Sequence, residues 1–143
     1  MKNWVIADTG FWYALLNKND VHHVKAVDML SRIDASLVST WPVITETCYF
    51  LQSRLGQNQA CAFLSTYDEG LFDIYDLQPA HVKRMTVLMQ KFADLPMDLA
   101  DASLVILAEE LGHGRILSTD MRDFQAYRWK NHNPFQNLLL PDS

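Results

Sequence analysis

Short apolar runs alternate with helix-length segments along nearly the whole chain, and this alternation restricts the fold more than any other feature of the sequence. Residues 3–7, 36–39, 71–77 and 115–118 read as strands, and residues 137–140 as a candidate fifth. Helical stretches lie between them. Residues 11–16 form a short one after the turn Thr9-Gly10. Residues 21–33 follow, with Asp20 as N-cap and Val24, Val27, Met29, Leu30 and Ile33 at roughly helical spacing. Thr40-Trp41-Pro42 opens a third helix, with proline tolerated in its first turn and Gly56 closing it. Residues 58–69 end at Gly70, residues 79–93 begin at Pro79, and residues 98–111 stop at Gly112. Strands separated by helices pair in parallel through right-handed crossovers. The expected architecture is therefore α/β, a three-layer α/β/α sandwich around a mostly parallel central sheet of four to five strands. At 143 residues and 49% apolar composition, residues 1–143 are expected to form one domain whose core needs neither disulfides nor structural metal.

No apolar stretch approaches the roughly 20 residues that cross a bilayer. The amino-terminal Met-Lys-Asn-Trp-Val-Ile-Ala-Asp runs into an acid instead of a signal-peptide cleavage region. A soluble, cytoplasmic protein with no membrane contact is expected. Cys48 and Cys61 are too few and too far apart for a zinc site or a redox pair, and both read as buried small hydrophobes. His22, His23, His81, His113 and His132 show no zinc-ligand spacing. There is no Gly-x-Ser-x-Gly elbow and no phosphate-cradling glycine loop. The Met85, Leu88, Met89 and Phe92 stripe reads as core or dimer surface. A net charge of −5 argues against a protein that grips nucleic acid by general electrostatics alone. It leaves room for a nucleic-acid substrate recruited through bound cations and a local basic patch. The basic and aromatic tail, Arg122, Tyr127, Arg128, Trp129, Lys130 and His132, is the local candidate for a phosphate or base contact.

Four of the apolar segments carry carboxylates at telling places: Val-Ile-Ala-Asp8, Pro-Val-Ile-Thr-Glu46, Met-Asp98-Leu-Ala-Asp101 and Ile-Leu-Ser-Thr-Asp120. Acids at the carboxyl ends of buried strands, or on helices beside them, sit where open α/β sheets bind ligands. Carboxylates brought that close raise one another's pKa, and a hard divalent cation held by oxygen relieves them. Each acid also has a structural role open to it. Asp8 suits a turn or helix cap, and Glu46 favours the first-turn dipole of its helix. Asp98 reads mainly as the N-cap of the helix that carries Asp101 on the same face. Asp101 precedes Ala102, Leu104, Val105, Ile106, Leu107 and Ala108, a helix buried on most of its circumference, where an unpaired acid is expensive. Asp120 follows a strand opposite Asp8, with Asp123 and Phe124 on the loop beyond and Phe124 anchoring it. Ser118 and Thr119 are placed to hydrogen-bond these carboxylates. Asp-Thr-Gly is also the triplet of aspartic proteases, but those are β-proteins. Gly10 stands where a phosphatase of the aspartyl-phosphate type carries a second aspartate.

Taken in order, these segments resemble the PIN-domain family of metal-dependent ribonucleases, in particular the VapC-like toxins of prokaryotic toxin–antitoxin pairs. The resemblance covers nearly the whole chain. It rests on the strand into Asp8-Thr9, Glu46 on the helix after the second strand, the Asp98-Leu-Ala-Asp101-Ala-Ser-Leu-Val helix, and Leu-Ser-Thr-Asp120-Met-Arg-Asp123-Phe124. It implies that Asp8, Glu46, Asp101 and Asp120 hold one or two Mg²⁺ or Mn²⁺ ions, with Asp98 or Asp123 auxiliary and Thr9 or Thr119 fixing the ligands. It implies RNA hydrolysis leaving 5′-phosphate and 3′-hydroxyl ends, a homodimer, and a small antitoxin partner whose carboxy-terminal segment covers the acidic groove. The rival expectation is a PIN-like module that binds RNA or protein without cleaving it. A costly cluster of like charges favours the enzyme.

Overall fold

A computed structural model describes residues 3–141. Its frame is a sheet in the order β3-β2-β1-β4-β7, with every neighbouring pair parallel. The strands are β1 (Trp4–Ala7), β2 (Ser36–Ser39), β3 (Phe72–Ile74), β4 (Arg115–Leu117) and β7 (Gln136–Asn137). Val5, Ile6 and Ala7 are all buried, as are Leu37, Val38 and Ser39. Successive side chains of a strand point to opposite faces, so helices must cover both faces of the central strands, as a three-layer α/β/α arrangement requires.

Among the described residues seven helices connect these strands: α1 (Thr9–Leu16), α2 (His23–Arg32), α3 (Trp41–Leu55), α4 (Gln57–Ser65), α5 (His81–Lys91), α6 (Leu99–Leu111) and α7 (Met121–Ala126). None is long and apolar enough to cross a membrane. Helix α6 is the central one. Its residues Ala102 to Ala108 are all buried, Asp98 caps its first turn by accepting from the Asp101 amide at 2.8 Å, and it packs on β1, α3 and α5. It ends at Gly112 in the left-handed region, φ 77°, a conformation that glycine adopts without penalty. The ring of Trp12 meets Phe11, Phe63 and Phe72 at centroid distances of 5.2, 5.4 and 5.1 Å and fills the space under α1.

Several expectations need correction. Helix α2 starts at His23 with His22 at the cap position, while Asp20 accepts from the His22 amide in the preceding turn. Its buried residue is Ala26; Val24 and Val27 face solvent, because Ala26 fits close to the core and turns the neighbouring valines outward. Helix α4 stops at Ser65 and is followed by turns to Gly70, β3 is three residues long, and the edge strand lies at Gln136–Asn137. Residues 121–126 are helical where a loop was expected, and β5 (Arg128–Trp129) pairs antiparallel with β6 (Asn133–Pro134) in a hairpin that was not foreseen. Cys61 is exposed and Cys48 half-buried, so neither is a fully buried hydrophobe. Met85 and Leu88 are buried and Met89 and Phe92 pack against the same core.

The strand order places a switch point. From β1 the chain moves outward through β2 to β3, then returns to the other side of β1 with β4. Parallel sheets open a crevice where that reversal occurs, at the carboxyl ends of the two diverging strands. Here those ends are Asp8 after β1 and Ser118 to Asp120 after β4.

Candidate active site

The crevice is a cavity of about 430 Å³ with carboxylates from every segment anticipated for them: Asp8, Glu46, Asp98, Asp101, Asp120 and Asp123. Thr9 and Thr119 line it too. Four elements converge on it. Asp8 caps α1 at the end of β1, Glu46 projects from the second turn of α3, Asp101 from the first turn of α6, and Asp120 caps α7 after β4. The approach of α1 to the β4–α7 loop depends on glycine. A Cβ on Gly10 would lie 1.9 Å from the Thr119 hydroxyl oxygen. Helices α3 and α6 are tied together by hydroxyls: Ser103 donates to the Ala100 carbonyl at 2.6 Å, which leaves Thr40 to donate to Ser103 at 2.6 Å. That bond fixes the start of the Glu46 helix against the Asp101 helix.

Asp8 is 6% exposed. Its Oδ1 accepts from the Thr9 amide at 2.7 Å and its Oδ2 from Ser118 Oγ at 2.9 Å. Ser118 Oγ in turn accepts from the Asp120 amide at 2.9 Å, so one hydroxyl spans the two strand ends. Burial pushes the Asp8 carboxyl from 3.8 up to about 7; Thr9 and Ser118 oppose the rise, and Glu46 and Asp120 add to it. Asp101 is held by the Tyr127 hydroxyl, which donates to Oδ2 at 2.7 Å. Burial raises this carboxyl to about 8, against the Tyr127 bond, with Asp8, Asp98 and Asp120 contributing repulsion. Glu46 is raised by burial and by Asp98, and Asp120 by burial and by Asp123. Asp123 is buried and accepts from Arg122 Nε at 2.9 Å. Asp8, Glu46, Asp101 and Asp120 are all raised, and repulsion from neighbouring acids adds to each rise.

As the side chains stand, no three His, Cys, Asp or Glu among the described residues are arranged to hold a metal ion. Asp8, Asp98, Asp101, Asp120 and Asp123 each accept a hydrogen bond from the protein instead. The donor chemistry nonetheless fits a hard divalent cation. The set is all oxygen and mutually repulsive, and the buried Thr9 hydroxyl beside it steadies the charged form of Glu46.

The expectations for individual residues divide clearly. Asp8, Glu46, Asp101 and Asp120 come together, with Asp123, Thr9 and Thr119 at the same cavity, and Asp98 is a cap on its rim. The tail is divided: Lys130 and His132 are exposed, while its other residues make contacts within the fold. Tyr127 is fully buried, Arg128 donates to the Gln125 and Tyr127 carbonyls, and Trp129 Nε1 donates to the Pro134 carbonyl. Tyr127 as the partner of Asp101, and Tyr13, Phe50 and Arg54 as further lining residues, were not foreseen from the sequence. Glu46, Phe50 and Arg54 are successive i, i+4 positions on α3, a spacing that marks one helix face.

No family model matches the chain. It is 27% identical over 125 residues to ribonuclease VapC26 of Mycobacterium tuberculosis, an alignment covering 87% of this chain and 92% of that protein. Among solved structures it matches that of VapC20 from M. tuberculosis, described as a sarcin-ricin loop cleaving toxin, with a TM-score of 0.77 at 18% identity, over 82% of this chain and 91% of that one. The fold is that of a VapC toxin, and the two matches support the VapC-like PIN-domain resemblance drawn from the four acidic segments.

Proposed function

We propose that this VapC-like chain is a metal-dependent endoribonuclease, the toxin of a type II toxin–antitoxin pair, with Asp8, Glu46, Asp101 and Asp120 as its catalytic acids. One observation carries the proposal: four carboxylates from four separate elements line one cavity at the sheet's switch point, and two of them are pushed up to about 7 and about 8. The similarity to a protein named a ribonuclease points the same way. A binding module gains nothing from burying Asp8, whereas an enzyme gains a site primed for a cation.

Asp8, Glu46, Asp101 and Asp120 would hold Mg²⁺ or Mn²⁺. Such an ion, when bound, supplies the positive charge that admits a phosphodiester, lowers the pKa of an attacking water and stabilises charge on the phosphate and leaving oxygens. The chain's own residues set the stage. Thr9 and Ser118 orient Asp8, Tyr127 orients Asp101, and the Asp120 cap on α7 fixes the opposite wall. Near neutral pH Asp8 and Asp101 are partly protonated, so a cation has to displace protons to bind.

The test is incubation of the purified protein with structured RNAs in Mg²⁺, Mn²⁺ or EDTA, beside Asp8→Asn and Asp101→Asn. Cleavage by the wild type with either ion, lost in EDTA and in both variants and leaving 5′-phosphate ends, is expected. Cleavage that survives EDTA and both substitutions contradicts the proposal. The toxin role predicts a homodimer by light scattering and an antitoxin encoded by a short reading frame beside this one.

A further inference from the structure

Seven acids line the catalytic cavity, counting Asp20 at its edge, and a single cation, Arg54, lines it with them. Every other arginine among the described residues is occupied. Arg32 pairs with Asp28, Arg84 with Glu109 and Arg122 with Asp123, while Arg115 donates to Asn3 and Arg128 to backbone carbonyls. Arg54 makes neither ion pair nor hydrogen bond within the described fold. Its guanidinium instead lies over two aromatic rings, 4.5 Å from the Phe50 centroid and 5.3 Å from that of Tyr13. Stacking of this kind holds the plane in place and leaves its edge donors open.

This guanidinium makes no hydrogen bond or ion pair with the carboxylates beside it, and it is not among the groups that set the pKa of Asp8, Glu46, Asp101 or Asp120. It suits a planar or tetrahedral oxyanion arriving from outside. The chain's net charge of −5 gives a polyanion no general attraction, so binding has to come from local contacts of this sort. Phe50, under the guanidinium, also walls an apolar groove of about 750 Å³ with Trp41, Tyr49 and Leu99. Trp41 is 48% and Tyr49 65% exposed, and their rings offer unpaired bases a stacking surface in a groove that Glu46 and Phe50 also line.

We propose that Arg54 is a phosphate-binding residue for single-stranded RNA, holding a backbone phosphate next to the one that is cleaved, with the strand running along α3. This rests on the ribonuclease reading for its substrate, but its test does not require cleavage. Binding of a labelled, mixed-sequence single-stranded RNA is measured in Mg²⁺ over a range of salt, in the full chain carrying Asp101→Asn so that the RNA stays intact. Adding Arg54→Gln is expected to weaken binding about tenfold at low salt and to lower the slope of log K against log salt by about 0.7, the loss of one phosphate contact on a single strand. Arg54→Lys keeps the slope, and an RNA duplex binds more weakly than the single strand. An unchanged slope in Arg54→Gln, no RNA binding at all, or displacement of the RNA by polyglutamate as readily as by RNA overturns the proposal, the last pointing to an acidic protein instead. A slope that falls in Arg54→Gln, beside cleavage that survives EDTA and both Asp8→Asn and Asp101→Asn, leaves this inference standing and removes the metal-nuclease reading.

Discussion

Replacing Asp8 by asparagine is predicted to stabilise the ion-free protein above neutral pH. The folded protein holds the Asp8 proton up to about pH 7, whereas the unfolded chain releases it near 3.8. Between those values the native state binds more protons than the unfolded one, so stability falls as pH rises from about 4 to about 7 and is flat beyond. A displacement of about three pH units corresponds to about 4 kcal/mol of stability lost above pH 7. Asparagine removes that penalty and keeps the bond from the Thr9 amide. It forfeits the Ser118 bond as now arranged, because Ser118 Oγ already accepts from the Asp120 amide and its proton loses its acceptor. That loss costs about 1 kcal/mol. The net expectation at about pH 8 is a gain of about 3 kcal/mol, a rise in Tm of roughly 6–12 °C for a domain of this size. At about pH 4 the same variant is no more stable than the wild type. Urea unfolding in EDTA across that range reads the difference directly. A difference that does not change with pH, or a wild type equal to Asp8→Asn at about pH 8, refutes the account of Asp8 as a buried, partly protonated acid.

Three further outcomes follow from the same geometry. Gly10→Ala drives a methyl into the Thr119 hydroxyl and is expected to cost about 1–3 kcal/mol; adding Thr119→Ala restores most of it, a coupling that a double-mutant cycle measures. Tyr127→Phe removes the donor that holds down the Asp101 carboxyl, so that carboxyl moves above about 8 and the pH needed for half-maximal Mn²⁺ binding rises. Carbon-13 NMR of Asp101 reads the shift independently. Asp98→Ala deletes the α6 cap and is expected to lower stability by about 1 kcal/mol, with a far smaller effect on cleavage than Asp101→Asn.

Much of this site could be read from the chain because its signals are local. An apolar run ending in Asp8, an N-cap three residues before Asp101, and Gly112 after a buried helix each declare themselves within a few residues. Helix α7 did not. It has six residues, half of them polar, and no apolar period; its support comes from Asp120 capping the Asp123 amide and from Phe124 packed on Tyr127 and Phe135. The Asp120-x-x-Asp123 spacing was the available cue. On α2, Met29, Leu30 and Ile33 pack against the core as their spacing suggested, but Val24 and Val27 do not, because periodicity weighs them by size while the core took the small Ala26. Tyr127 reaches Asp101 across 26 residues, a tertiary contact with no local trace. Arg54 is intermediate. Its i, i+8 relation to Glu46 is visible in the sequence, but its lack of an acidic partner appears only in three dimensions.

The central claim is that Asp8, Glu46, Asp101 and Asp120 act jointly as one cation site. Calorimetric titration of Mn²⁺ into the purified protein at about pH 7, repeated in buffers of different ionisation enthalpy, tests it without any RNA. The account predicts saturable binding that releases protons, because burial holds Asp8 and Asp101 at about 7 and about 8 before the ion arrives, and loss of both binding and release in Asp8→Asn and in Asp101→Asn. Mn²⁺ binding of equal strength in the wild type and both variants, or none in the wild type, contradicts it.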